Sequence, residues 1–283
     1  MKGLLARLPL PWAHAIGAAL AWVIFPLARR WRVRLTENLA LAGYADPAVR
    51  RAAVSEAGRM MFEAPKIWLR PREEILALVR RVTGLEAAAA ARAAGKGIVY
   101  LTPHYGCFEI ALHVVAEQGP ITALYREARE EGLRDLMQSG RERHNVRLAS
   151  STLGGVRQLL AALKRGEAVG ILPDQVPGVG EGEWTEFFGR AAYTMTLAGR
   201  LCERRDVASF LVMCTRLPRG EGFDMDVQPL TPARPGESGA RRVNRALEEA
   251  IRAHRPEQYM WSYNRYKRPA GAPPPPPQSA GRP

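Results

Sequence analysis

GIVYLTPHYGCFEI, residues 97–110, is an apolar run that breaks at Thr102-Pro103 and hands a histidine to the start of a helix. Ile98, Val99, Tyr100 and Leu101 follow Gly95-Lys96-Gly97, a pattern that suits a strand buried on both faces of a parallel sheet. Pro103 ends that strand, His104 sits in the turn, and Glu109 falls in the first turn of the next helix, where backbone N–H groups lack helical partners. The spacing is His-x4-Glu. A carboxylate at that distance can fold back to the ring and hold one tautomer, which leaves the other nitrogen as an outward-facing base. The expected pair is therefore His104 with Glu109. A histidine beside a carboxylate is often structural, and it is the strand-to-helix turn, with Gly106 in it, that favours catalysis. Cys107 reads as a small buried thiol rather than a nucleophile. Glu109 and His113 share a helix face, but there is no H-E-x-x-H or cysteine set, so neither a metal nor a cofactor is expected.

Outward from this stretch the chain alternates strand and helix. Asp46-Pro47 is an N-cap followed by a proline at the first helical position, opening a helix toward Ile67 that Pro65 is expected to kink or end. Residues 73–80 and 85–94 read as helices. Further on, 121–125, 146–149, 168–172 and 207–215 read as strands, with helices at 133–143, 156–165, 197–204 and 241–254, and 223–227 as a late hairpin strand. This pattern predicts an α/β fold with a mixed, mostly parallel sheet flanked by helices. Sites in such sheets lie at the carboxyl ends of strands, where both His104 and Asp174 fall. The expected organisation is an N-terminal membrane anchor with its basic flank over 1–34, one α/β domain over 35–268, and a proline-rich disordered tail over 269–283.

The anchor rests on 21 residues without formal charge, Leu8 to Ala28, followed by Arg29, Arg30, Arg32 and Arg34. As a helix this segment is ~30 Å long, about one bilayer core. Pro9, Pro11, Pro26 and His14 weaken a simple spanning helix, so spanning and lying on the surface both stay open. The arginines favour a body on the cytoplasmic face, against an anionic leaflet. A signal peptide is disfavoured by the length of the run and its arginine end. The net charge of +13 points to anionic partners without choosing among them. Three cysteines with no C-x-x-C pair argue against a disulfide framework or a zinc knuckle. Nucleic acid lacks support, because no aromatic-rich sheet motif interleaves with the basic residues.

The ordered motifs resemble a family. His104 to Glu109 within TPHYGCFE is similar to the His-x4-Asp/Glu motif of the lipid A biosynthesis acyltransferases, the lauroyl and myristoyl transferases of Gram-negative bacteria. Tyr125-Arg126 resembles that family's Tyr-Arg block, Gly140-Arg141 its Gly-Arg motif and Leu172-Pro173-Asp174-Gln175 its Pro-Asp motif. Phe187-Phe188-Gly189, with Ala192 and Thr194, is similar to its Phe-Phe-Gly element. Pro256 to Trp261 and the basic 265–268 resemble its closing signature. Glu37-Asn38-Leu39 and the N-terminal anchor fit as well, so the resemblance covers about 8–268. Glu127, Val176 and Trp261-Ser262-Tyr263-Asn264-Arg265 depart from the family pattern, which leaves the acceptor open.

The resemblance implies a glycerolipid acyltransferase-like fold and an O-acyltransferase of the inner membrane. An acyl carrier protein would be the donor and a phosphorylated glycolipid the acceptor. His104 would be the general base, Glu109 its partner and Arg141 a catalytic charge stabiliser, with backbone N–H groups near Gly106 and Cys107 as oxyanion donors. Arg126 and Asp174 would bind substrate; Asp174 alternatively holds an arginine. Two alternatives stand beside this reading. One is a glycerophospholipid or specialised-lipid acyltransferase with the same His-x4-Glu logic; the other is a silent membrane protein that holds anionic lipids.

Overall fold

A computed structural model describes residues 2–126 and 130–277. The chain opens with four helices: α1 (Lys2–Arg7), α2 (Leu10–Leu27), α3 (Arg29–Leu41) and α4 (Pro47–Leu69). Asp46 caps α4 by accepting from the Ala48 N–H at 2.7 Å. Pro65 lies inside α4 without ending it. A short α5 (Arg72–Leu76), β1 (Val79–Thr83) and α6 (Leu85–Ala93) lead to β2 (Gly97–Leu101), α7 (Phe108–Val115) and β3 (Ile121–Tyr125). Then come α8 (Glu131–Arg141), β4 (Val146–Ser150), α9 (Leu153–Lys164), β5 (Ala168–Ile171), β6 (Gly182–Phe187) and β7 (Arg190–Met195). The last elements are α10 (Thr196–Cys202), β8 (Val207–Arg216), β9 (Phe223–Pro229) and α11 (Gly239–Ala253).

Seven strands form one sheet in the order β1-β9-β8-β2-β5-β3-β4. From β4 to β8 every pairing is parallel, and only the β8–β9 hairpin runs antiparallel. The mixed, mostly parallel α/β sheet expected from the alternation is therefore present. Every residue of β2 is buried, as its unbroken apolar run requires of a central strand. Val99 and Leu101 face one apolar layer with Leu159 of α9 and Leu247 of α11. Ile98 and Tyr100 face the other, with Ile110 and Val114 of α7.

Two elements of the structure are absent from the sequence reading. Residues 79–83 form β1, and the helix expected over 73–80 stops at Leu76: VRRVT is an exposed edge strand whose arginines mask its alternation. Residues 182–195 form the antiparallel hairpin β6–β7, turned by Phe188 (φ +46°) and Gly189 (φ +76°). Two consecutive positive φ values define the turn that matches strand twist, and glycine makes the second cost little.

The N-terminal helices pack on the body. Helix α2 crosses α4 at Gly17 and Gly58, where a Cβ on Gly58 would stand 2.0 Å from the Gly17 carbonyl oxygen. Trp22 donates its indole N–H to Ser55 Oγ at 3.0 Å. The opposite face presents Trp12 (65% exposed), Val23 (62%) and Leu27 (82%). Helix α2 is long and apolar enough to cross a membrane. The start of the proline-rich tail is docked: Ala272 is buried with Val176 and Tyr193, and Trp184 donates to the Pro273 carbonyl at 2.9 Å. Residues 278–283 lie outside the described residues.

Candidate active site

The register of two central strands builds the site. In the parallel pair β2–β5, Leu101 lies opposite Ile171, and the Thr102 N–H donates to the Ile171 carbonyl at 3.0 Å. His104 and Asp174, each three residues beyond those partners, leave the sheet side by side. The Asp174 carboxylate accepts from the His104 backbone N–H at 2.9 Å through Oδ2 and from the ring Nδ1 at 2.8 Å through Oδ1. An ionised carboxylate only accepts, so Nδ1 carries a proton, and in the neutral form of the ring Nε2 holds the lone pair. Nε2 lies 3.0 Å from the Gln175 side-chain nitrogen, which can donate to it. The ring also packs on Phe108, with centroids 4.7 Å apart. Burial alone would raise the Asp174 pKa, but the charge and hydrogen bonds of His104 hold it below the ordinary value.

This corrects the expected pairing. Glu109, at the start of α7, is bonded to Arg141 and Trp68 rather than to His104. Its Oε2 accepts from Arg141 Nε at 2.8 Å and from the Trp68 indole at 3.0 Å, and Oε1 accepts from Arg141 Nη2. Arg141 also stands over the Trp68 ring, 5.9 Å from its centroid. Burial pushes the Glu109 carboxyl up, and the Arg141 guanidinium overrides this to leave it below the ordinary value. Gly140 explains the Gly-Arg sequence: a Cβ there would lie 2.5 Å from Trp68 Cβ, so a side chain would force α8 and Arg141 off this seat. Asp174 in turn holds the histidine, where a substrate or an arginine had been expected.

A second correction concerns the oxyanion donors. The Gly106 N–H donates to the Gln258 carbonyl at 3.1 Å and the Cys107 N–H to the Cys214 carbonyl at 3.0 Å, so both are already used. Gly106 (φ +51°) has no room for a side chain, since a Cβ would meet the Cys214 carbonyl oxygen at 1.9 Å. Cys107 is buried, and burial raises its thiol well above the ordinary pKa, which suits packing and not nucleophilic attack. His113, on the same helix α7, is buried and pushed down to about 4, chiefly by burial.

His104, Glu109, Arg126 and Arg141 line one cavity at the carboxyl ends of β2, β3 and β5. The polar Ser151 and Gln175 also line it, together with a set of apolar side chains: Ala111, Leu112, Val115, Ile121 and Leu148. Gly170 of β5 leaves space there; a Cβ would make ordinary contacts with Ile121 at 3.4 Å and Leu112 at 3.8 Å. Arg126 is exposed at the cavity edge, and Glu127 lies outside the described residues. Two departures from the family pattern touch, since the Val176 N–H donates to the Tyr263 hydroxyl at 2.9 Å.

Sequence reasoning missed Trp68, Gln175 and the pairing of Asp174 with His104. The last had a readable signal, namely two polar residues equally far beyond two apolar strands, but only the strand order makes them neighbours.

A family model for bacterial lipid A biosynthesis acyltransferases matches residues 2–268. The chain belongs to this family, whose members transfer acyl groups in lipid A biosynthesis. It is 25% identical over 274 residues to a lipid A biosynthesis palmitoleoyltransferase of Escherichia coli (strain K12), covering 94% of this chain and 88% of that protein. It is 26% identical over 281 residues to the lipid A biosynthesis lauroyltransferase of the same organism, covering 95% and 90%. A lipid A biosynthesis acyltransferase of Haemophilus influenzae is 27% identical over 184 residues, covering 63% of this chain and 56% of the relative.

Proposed function

We propose that this protein moves a fatty acyl chain from an acyl carrier protein thioester to a hydroxyl of a lipid A precursor or related glycolipid, with His104 as general base and Asp174 as the group that orients it. The observation that carries the reading is the Asp174 carboxylate on Nδ1, which leaves Nε2, met here by the Gln175 amide that an acceptor hydroxyl would displace, as the base lining a cavity rich in apolar side chains. His104 Nε2 takes the acceptor hydroxyl proton as the oxygen bonds to the thioester carbonyl carbon. The tetrahedral adduct collapses, the carbon–sulfur bond breaks, and the imidazolium returns its proton to the leaving thiolate. Asp174 stabilises that imidazolium, a role that needs a buried, ionised carboxylate. Arg141, held by Glu109 and Trp68, supplies fixed positive charge for the oxyanion or an acceptor phosphate, and exposed Arg126 adds phosphate affinity at the cavity edge. The apolar wall from Ala111 to Leu148 takes the acyl chain.

The reading includes a position on the cytoplasmic face of the inner membrane. The outward apolar face of α2 enters the lipid and the arginines of α3 meet anionic headgroups. The test is mass spectrometry of a lipid A precursor incubated with acyl-loaded carrier protein and the full chain in detergent. One acyl increment on the precursor is expected, with the His104→Ala variant losing it. An unchanged precursor beside a newly acylated phospholipid would move the acceptor to glycerophospholipid, and full activity in His104→Ala would remove the base from the scheme.

A further inference from the structure

The turn that carries His104 is held from beneath by a charge cluster the acyl-transfer scheme does not use. Arg216, at the end of β8, is 1% exposed. Its Nε donates to Glu63 at 2.8 Å, Nη2 donates to the other Glu63 oxygen, and Nη1 donates to Glu56. Nη2 also donates to the Gly106 carbonyl at 3.0 Å, two residues after His104. Gln258 fixes Arg216 itself: its side chain accepts from the Arg216 N–H at 2.7 Å and donates to the Arg216 carbonyl at 2.8 Å. The Gln258 carbonyl takes the Gly106 N–H, and the Met260 N–H donates to the His104 carbonyl at 3.0 Å. Both polar groups of residue 106 and the carbonyl of the histidine are thereby fixed.

The cluster reaches the N-terminal helix. His14 of α2, buried, stands 3.0 Å from Glu63 Oε2. A chain of contacts therefore runs from α2 through Glu63 on α4 and Arg216 on β8 to the Gly106 carbonyl. Buried ion pairs are weak stabilisers compared with apolar residues of the same volume, so stability alone is a poor reason for this one. Its location offers another, because it ends on the backbone of the catalytic turn. We propose that α2 is a working part of the active site and not an anchor alone: His14, Glu63 and Arg216 are positioning residues that set the turn carrying His104. The kinetic side of this rests on the acyl-transfer reading; the geometric side does not.

The experiment uses the full chain in detergent with His14→Phe, which keeps a ring against Phe223 and removes the link to Glu63. The expected result is a kcat about ten-fold lower with KM for donor and acceptor unchanged, the signature of a reacting group displaced by a fraction of an ångström. Cooperative unfolding is retained. In histidine-labelled protein the ring resonance of His104, one of five histidines and assigned with His104→Gln, shifts in the same variant. Arg216→Lys, which cannot span both carboxylates and the Gly106 carbonyl, gives a larger kcat loss, and where it fails to fold His14→Phe decides. An unchanged His104 resonance in folded His14→Phe overturns the inference, as does an unchanged kcat in an active enzyme. A wild-type chain that transfers no acyl group defeats the functional reading, while the resonance still decides this one.

Discussion

Two buried carboxylates serve the cavity, and they do different work. Asp174, three residues past β5, receives two hydrogen bonds from His104 and so fixes an imidazole. Glu109, at the start of α7, receives Arg141 and the Trp68 indole and so fixes a cation. Both are held below their ordinary pKa against the upward push of burial. What separates them is the partner that the backbone brings. A strand end adjacent in the sheet meets the histidine turn, whereas a helix start faces α4 and α8. The acid residue type is the same in kind, and position assigns the role.

Asp174→Asn breaks the first half of this comparison and has the largest expected effect. An amide that donates to Nδ1 favours the wrong tautomer and cannot stabilise the imidazolium, so kcat should fall about 10²–10⁴-fold. Single-turnover kinetics check this, with circular dichroism unchanged. Glu109→Gln breaks the second half in another way: the histidine pair survives while Arg141 is left charged and unpaired in a mostly buried seat. Stability should drop by about 3 kcal/mol, measured by denaturant unfolding, with a smaller loss of kcat than in Asp174→Asn. If Glu109→Gln instead matched Asp174→Asn in kcat, the division of roles would fail.

Gly170→Val tests the cavity that both carboxylates serve. The added methyl groups fill space lined by Ile121 and Leu112. Preference between acyl donors differing by two methylenes should move about ten-fold toward the shorter chain, since each buried methylene is worth ~0.8 kcal/mol. Competition between mixed acyl carrier proteins reads this ratio.

The smallest effect on activity is expected at His113, four residues along α7 from Glu109. Its folded pKa of about 4 lies below the ordinary 6.5. The unfolded chain therefore takes up a proton first as pH falls, so this contribution is present above pH 6.5 and is lost on descent toward pH 4. The loss is at most about 3 kcal/mol. His113→Leu should flatten the stability–pH curve in that window and leave turnover nearly intact. Asp174 and Glu109, with depressed values, add stability present above their ordinary 3.8 and 4.5 and lost as pH falls through their lower folded values. Stability of His113→Leu should therefore still collapse at lower pH, which thermal melts across the range would show.

Residues whose environment is local were readable from the sequence. The run Ile98–Leu101 fills a strand that is buried throughout, Asp46 caps the helix that Pro47 begins, and His104 stands in the turn after Pro103. Strand β1 was hidden because an exposed edge needs no apolar alternation, and the β6–β7 hairpin because its turn depends on positive φ at a phenylalanine. The oxyanion donors expected at Gly106 and Cys107 could not be excluded from sequence, since the carbonyls that occupy them belong to Gln258 and Cys214.

The sequence by itself determined that this chain forms a strand–turn–helix bearing a histidine, within an alternating α/β body led by an apolar helix. The ordered motifs also determined its family. These follow from hydrophobic period, turn chemistry and residue order, all of which act over a few residues or are counted along the chain. Only the tertiary structure decided which carboxylate holds His104 and which holds Arg141, and that α2 reaches the turn bearing His104 through His14, Glu63 and Arg216. Those choices depend on strand order and on helix packing between distant segments: Glu109 is the nearer carboxylate in sequence, but β5 lies beside β2 and puts Asp174 on the ring.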